Sequence, residues 1–145
     1  IYTTVDVAFA ELSKLKKGER VLIHGATGGV GLVAVQYAQR LGAVVYATAG
    51  RDEKRQHLRD LGVKYITSSR VGDEFEADMK KFLGKESLDV VLNSMSHDDY
   101  IRRSLRLLGK GGRFVEIGKR DVWTNEEVAK EFPDVKYTLH AIDHV

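Results

Sequence analysis

The chain has 145 residues, of which 43% are hydrophobic and 30% are charged, so it has the size and composition of one globular domain and not of a disordered or fibrous protein. Lys and Arg number 23 against 21 Asp and Glu, and this near balance argues against nucleic acid or a membrane surface as the main partner. The absence of cysteine excludes disulfides and thiolate-bound metal within this stretch.

The two ends of the sequence look like points at which a longer polypeptide has been cut. The chain opens on Ile1-Tyr2-Thr3 without an initiator Met, and residues 140–145 resemble the end of a strand. No signal-peptide pattern is present at the start, and no apolar run approaches the ~18 residues that span a bilayer. We therefore expect a cytoplasmic domain of a larger protein, with no membrane contact.

Helical and extended patterns alternate along the chain. Apolar residues at helical spacing predict a first helix over 5–16, which Lys17-Gly18 ends. Short apolar runs predict strands over 20–24, 44–48, 64–67, 88–92, 113–117 and 135–142. Helices are predicted between them over 30–41, 53–61, 75–83, 98–108 and 125–131, and a glycine turn is expected at 109–112.

The predicted strands share one property, the lack of alternation between polar and apolar residues. Such strands are typical of a parallel sheet that is covered by helices on both faces. Right-handed crossovers then give a doubly wound α/β fold of the Rossmann type, with six strands in one domain.

A glycine-rich loop follows the first of these strands and opens a helix. Its sequence, Ala26-Thr27-Gly28-Gly29-Val30-Gly31, is a G-x-G-x-x-G frame with alanine in place of the first glycine. Backbone N–H groups at such a helix N-terminus can hold a pyrophosphate, while Gly28 lets the phosphate approach and Gly31 lets the helix pack closely on the strand. A tight turn of small residues is the alternative. The candidate cofactor-binding residues are Thr27, Gly28, Gly29, Val30 and Gly31.

The residues at the end of the second strand help to distinguish an NAD site from an NADP site. NAD sites usually carry an acidic residue there, roughly 20 residues after the glycine loop, but the segment 46–50 has none. Cationic residues follow at Arg51, Lys54 and Arg55, and they suit a 2′-phosphate, which a carboxylate would repel. We expect NADPH as the cofactor, the alternative being that these cations form a solvated first helical turn.

Several segments, taken together, resemble one kind of enzyme domain. They are similar to the enoyl reductase domains of polyketide synthases and animal-type fatty acid synthases, which form a zinc-independent, quinone-oxidoreductase-like branch of the medium-chain dehydrogenase/reductase superfamily. The most specific resemblance lies in Leu92-Asn93-Ser94 together with Glu116-Ile117-Gly118-Lys119. The other matching segments are the first strand with its glycine loop and Ser68-Ser69-Arg70.

This resemblance implies that residues 1–145 form the NADP(H)-binding lobe of a two-lobed enzyme whose substrate lobe lies outside this chain. Such enzymes transfer a hydride from NADPH to a trans-2-enoyl thioester on an acyl carrier protein. The partners are then that carrier-bound thioester and the other domains of the same multienzyme. A stand-alone NADPH:quinone oxidoreductase and a dinucleotide-binding module without turnover are the alternatives.

The resemblance also implies cofactor contacts outside the glycine loop. By position, Lys54 and Arg70 match the residues that contact the 2′-phosphate, and Asn93 matches a residue on the nicotinamide side of the cleft. Gly118, after the fifth strand, is the remaining cofactor-binding candidate.

The catalytic candidates are Lys119 and Asp143, which match the proton donors proposed in the family. Both follow the carboxyl ends of predicted strands, where ligands bind in open α/β sheets. A lysine ammonium could stabilise the developing enolate oxygen or deliver the α-proton, and an aspartate could hold its orientation. A phosphate-binding or surface lysine and a strand-end cap are the alternatives. We expect no metal site.

Overall fold

A computed structural model describes residues 9, 14–24, 29–50, 52–68, 72–93, 98–116, 125–133 and 135–139. Strands and helices alternate through these ranges. The strands are β1 (Arg20–Ile23), β2 (Val44–Ala49), β3 (Tyr65–Ser68), β4 (Leu88–Asn93), β5 (Leu108–Glu116) and β6 (Lys136–Leu139). The helices are α1 (Gly29–Leu41), α2 (Asp52–Asp60), α3 (Gly72–Leu83), α4 (Asp98–Leu107) and α5 (Asn125–Glu131).

The strands form one six-stranded sheet in the order β3-β2-β1-β4-β5-β6, and neighbouring strands are parallel. The direction of the strand order reverses at β1, which pairs with β2 on one side and with β4 on the other. This is the doubly wound order of a Rossmann-type fold, so the predicted fold class is confirmed. In such a sheet, ligands bind at the carboxyl ends of the strands, next to the reversal.

Helices cover both faces of the sheet. Successive residues of a strand point to opposite faces, so both faces carry apolar side chains, and the helices bury them. On one face, α1 and α2 pack against the row Val21, Ile23, Val45, Ala47, Val90, Leu92 and Val115. On the other face, α3, α4 and α5 pack against Leu22, Tyr46, Val91, Phe114 and Tyr137. Strands buried on both sides need no polar alternation, which explains the sequence pattern.

The fifth strand begins earlier than predicted. β5 starts at Leu108 and not at Arg113, because Leu108 already pairs with Leu88 of β4. The next pair joins Val90 to Arg113, so the glycines between them form an irregularity inside the strand and not a turn before it. Gly111 has a φ of +80°, a conformation that favours glycine.

The predicted helix over 5–16 lies outside the described residues, except for Phe9 and residues 14–16, and the latter are not helical. The other predicted helices and strands agree with the structure within a few residues at each end. Among the helices that the structure describes, none is both long and apolar enough to cross a membrane.

Candidate functional site

Buried polar side chains gather at one edge of the sheet, where the strands end. Among the described residues, the buried polar set is His24, Thr48, Thr67, Ser68, Asn93, Ser104 and Glu116. All of these lie at the carboxyl ends of strands, apart from Ser104 of α4, which hydrogen-bonds to His24. At the opposite edge the polar contacts are partly exposed ion pairs, such as Arg113 with Glu19. The burial of polar groups therefore marks the same edge at which Rossmann-type folds bind ligands.

His24 is the residue that follows β1. Its Nδ1 lies 3.3 Å from the hydroxyl oxygen of Thr48 at the end of β2, and its Nε2 lies 2.6 Å from that of Ser104 in α4. The ring centroid is 5.3 Å from that of Phe75 in α3. Burial lowers the pKa of His24 to about 3, so the imidazole is neutral in the folded protein at physiological pH.

Asn93 and Glu116 are the last residues of neighbouring strands, β4 and β5. They are register partners, and the Nδ2 of Asn93 donates to the Oε2 of Glu116 at 2.5 Å. Both side chains are 0% exposed. Asn93 is a predicted cofactor contact, and the structure places it at the carboxyl edge of the sheet, beside the reversal of the strand order.

The glycine loop leads into the N-terminus of α1 at the carboxyl end of β1. Gly29, Val30 and Gly31 form the first turn of this helix, and Gly31 is buried. No acidic residue lies in that turn, so the positive end of the helix macrodipole is not neutralised there. The arrangement fits a bound pyrophosphate. Thr27 and Gly28 lie outside the described residues.

The end of β2 carries no acidic residue. The strand ends at Ala49, whose carbonyl oxygen accepts a hydrogen bond of 3.2 Å from the Nε of Arg55. The same guanidinium lies 4.0 Å from a carboxylate oxygen of Glu74 in α3. Lys54, the predicted phosphate contact next to it in α2, is exposed. The end of β2 therefore offers no carboxylate to the two hydroxyls of an adenosine ribose.

Besides Thr27 and Gly28, four more predicted site residues lie outside the described residues: Arg70, Gly118, Lys119 and Asp143. Neither Glu116 nor Ser104 is among the site residues predicted from the sequence. An acidic residue directly after the apolar pair Phe114-Val115, at the end of β5, is the signal that could have identified Glu116. No comparable signal marks Ser104, which lies within a helix.

No group of three or more His, Cys, Asp or Glu side chains that could hold a metal ion occurs within the ranges that the structure describes. The described residues therefore offer no zinc site of the kind that proteins build from such ligands.

The chain matches the family model described as zinc-binding dehydrogenase over residues 29–142. Among curated proteins, it is 45% identical over 139 residues to the pikromycin polyketide synthase component PikAII of Streptomyces venezuelae. That match covers 94% of this chain and 4% of the synthase component. The chain thus spans a small part of the curated relatives that it matches.

Two solved structures have the same fold over nearly the whole chain. The CurK enoyl reductase has a TM-score of 0.91 and 45% identity, and the match covers 96% of this chain and 41% of that one. The nucleotide-binding subdomain of the enoylreductase domain of PpsC from Mycobacterium tuberculosis has a TM-score of 0.85 and 40% identity. Here the match covers 98% of this chain and 78% of the subdomain.

Proposed function

The chain belongs to the zinc-binding dehydrogenase family and, within it, to the nucleotide-binding subdomains of polyketide synthase enoyl reductases, and we propose that it binds NADPH for the reduction of an enoyl thioester. The substrate is a trans-2-enoyl chain on an acyl carrier protein, and the other domains of the same multienzyme are its partners. Residues 1–145 supply the cofactor lobe, and a second lobe supplies the substrate pocket.

One observation supports this proposal above the others. The N-terminus of α1 and the end of β2 face the same edge of the sheet, and neither the first turn of α1 nor β2 contains an acidic residue. A pyrophosphate at the helix and a 2′-phosphate near Lys54 are both anions, so the absence of an acidic residue from the first turn of α1 and from β2 supports NADPH over NADH. Asp52 and Glu53, in the first turn of α2, are the acidic residues that lie nearest to the end of β2 along the chain.

In this proposal, different residues of the sheet edge bind different parts of the cofactor. Thr27, Gly28, Gly29, Val30 and Gly31 hold the pyrophosphate through the loop and helix backbone, and Lys54 with Arg70 holds the 2′-phosphate. Asn93 and Gly118 lie on the nicotinamide side. When bound, NADPH supplies the hydride for the β-carbon of the thioester.

Two further residues complete the reduction in this proposal. Lys119 stabilises the developing enolate oxygen or delivers the proton to the α-carbon, and Asp143 orients the ammonium group. Both follow strands whose carboxyl ends form the binding edge, which is the support for placing them there.

The experiment uses the complete enzyme that contains this chain, with NADPH and a trans-2-enoyl thioester on its carrier protein. We expect loss of NADPH absorbance and a product with two additional hydrogen atoms. Reduction of a quinone without reduction of the thioester would favour the stand-alone quinone oxidoreductase. Cofactor binding with neither reaction would favour a binding module without turnover.

A further inference from the structure

Arg55 differs from the other basic residues of α2 in its burial. Its side chain is 21% exposed, whereas its neighbour Lys54 and Arg59, one turn later, are exposed. A charge that is partly shielded from water interacts with an anion more strongly than a fully solvated one, because water and salt screen the latter. Arg55 is therefore the basic residue of α2 that can interact most strongly with a bound anion.

The side chain of Arg55 lies across the carboxyl ends of the strands. Helix α2 packs on one face of the sheet through Leu58, and α3 packs on the other face through Phe75. The Nε of Arg55 donates a hydrogen bond of 3.2 Å to the carbonyl oxygen of Ala49, the last residue of β2. Its Nη1 lies 4.0 Å from a carboxylate oxygen of Glu74 in α3. The guanidinium is therefore held at the edge of the sheet where ligands bind in such folds.

Most of the donors of this guanidinium are available to a ligand. An arginine side chain carries five N–H donors, and the one on Nε is used by Ala49. The separation of 4.0 Å from Glu74 is too long for a hydrogen bond, and 47% of the Glu74 side chain is exposed. Within the ranges that the structure describes, neither terminal nitrogen of Arg55 forms a hydrogen bond. The terminal nitrogens can thus donate to an anion without breaking a hydrogen bond of the fold.

The place of Arg55 beside β2 determines which part of a dinucleotide it can reach. In a doubly wound sheet, the residues that follow the second strand recognise the 2′ position of the adenosine ribose. Ala49 ends that strand, which contains no acidic residue. The planar fork of a guanidinium matches two oxygens of a phosphate group. A 2′-phosphate is therefore the acceptor that the terminal nitrogens of Arg55 suit.

We propose that Arg55 is a specificity-determining residue, whose terminal nitrogens donate hydrogen bonds to the 2′-phosphate of NADPH. This inference rests on the proposed function and adds a contact to those of Lys54 and Arg70. The hydrogen bond to Ala49 fixes the side chain before the cofactor binds, so less conformational entropy is lost than at the exposed Lys54. Arg55 therefore contributes more than Lys54 to the preference for NADPH.

The test compares two ligands that differ only in the 2′-phosphate, adenosine 2′,5′-bisphosphate and adenosine 5′-monophosphate. Each is titrated calorimetrically into the wild-type chain and into Arg55→Gln. Because hydrogen bonds between charged groups are stronger than neutral ones, we expect the affinity for the bisphosphate to fall about tenfold to thirtyfold. The affinity for the monophosphate should change less than about twofold. Arg59→Gln removes an exposed charge of the same helix, and this matched control should leave both affinities unchanged.

Equal losses for both ligands would overturn the proposal in favour of a structural role of the hydrogen bond to Ala49. An unchanged affinity for the bisphosphate would overturn it as well. If Arg55→Gln does not fold, as judged by thermal unfolding, Arg55→Lys is titrated with the same two ligands. Lysine keeps the charge but lacks the fork, so we expect a smaller loss of about threefold, confined to the bisphosphate. Equal losses for the two ligands, or none, would again count against the proposal.

The wild-type chain separates this inference from the proposed function on which it rests. If the wild type binds the bisphosphate no more tightly than the monophosphate, or binds neither, the proposed function is contradicted. If the wild type prefers the bisphosphate and Arg55→Gln keeps that preference, only the role of Arg55 is overturned.

Discussion

The imidazole Nε2 of His24 lies 2.6 Å from the hydroxyl oxygen of Ser104, a residue 80 positions further along the chain. This contact ties the end of β1, immediately before the glycine loop, to helix α4. The other ring nitrogen lies 3.3 Å from the hydroxyl of Thr48, so the ring links three elements of the carboxyl edge. A neutral imidazole has one donor and one acceptor, which suits two hydroxyl partners.

The buried state of His24 makes stability dependent on pH. Burial lowers its pKa from 6.5 to about 3 in the folded protein, whereas the unfolded chain takes up the proton as the pH falls through about 6.5. The unfolded state binds more protons between these values, so the stability that His24 contributes is complete above about pH 6.5 and decreases as the pH falls toward 3. The loss from this group is at most about 1.4 kcal/mol for each pH unit.

Urea unfolding from about pH 7 to about pH 5 measures this effect, because most carboxyl groups remain ionised in that range. We expect His24→Gln to show a smaller decrease in the free energy of unfolding than the wild type. His57→Gln, at an exposed position of α2, is the matched control and should keep the wild-type slope. An identical slope for His24→Gln and the wild type would contradict the neutral, buried imidazole.

A substitution at Gly31 tests the close packing at the start of α1. It is buried in the first turn of the helix, and a valine there adds three carbon atoms to a packed position. We expect Gly31→Val to lower the free energy of unfolding by about 1–3 kcal/mol and to weaken NADPH binding. Gln36→Val places the same side chain at an exposed position of the same helix and should cost less than about 1 kcal/mol. Equal costs for the two variants would contradict a packing role of Gly31.

A substitution at Lys54 tests the origin of the expected preference for NADPH over NADH. The side chain is exposed, so its interaction with a 2′-phosphate is screened by solvent. We expect Lys54→Gln to weaken NADPH binding about threefold to tenfold and to leave NADH binding unchanged, as measured by titration of both cofactors. Lys64→Gln, an exposed lysine just before the amino end of β3, is the control and should change neither affinity. A similar loss for both cofactors after Lys54→Gln would exclude a phosphate-specific contact.

Lys119 tests the catalytic assignment, which depends on sequence similarity because this residue lies outside the described ranges. In the complete enzyme, we expect Lys119→Ala to lower kcat for the enoyl thioester about a hundredfold while the affinity for NADPH remains. Lys85→Ala, an exposed lysine between α3 and β4, should leave kcat unchanged. Full activity of Lys119→Ala would remove this residue from the mechanism.

The order of elements was predictable because most strands contain a short apolar run and several helices have apolar residues at helical spacing, whereas α2 is a charged segment that Gly62 follows. The glycine irregularity in β5 was not predictable from the sequence, since the pairing of Leu108 with Leu88 depends on the neighbouring strand and not on local sequence. The partners of His24 and Asn93 were not predictable for a similar reason. Ser104 and Glu116 lie 80 and 23 positions away, and only sheet register and helix packing bring them together.

The central claim is that this chain binds NADPH in preference to NADH at the carboxyl edge of its sheet. Calorimetric titration of the chain with each cofactor under the same buffer conditions tests it most directly. We expect NADPH to bind at least about tenfold more tightly than NADH, since the 2′-phosphate adds charge-assisted contacts with Lys54 and Arg70. Equal affinity for the two cofactors, or no binding of either, would contradict the claim.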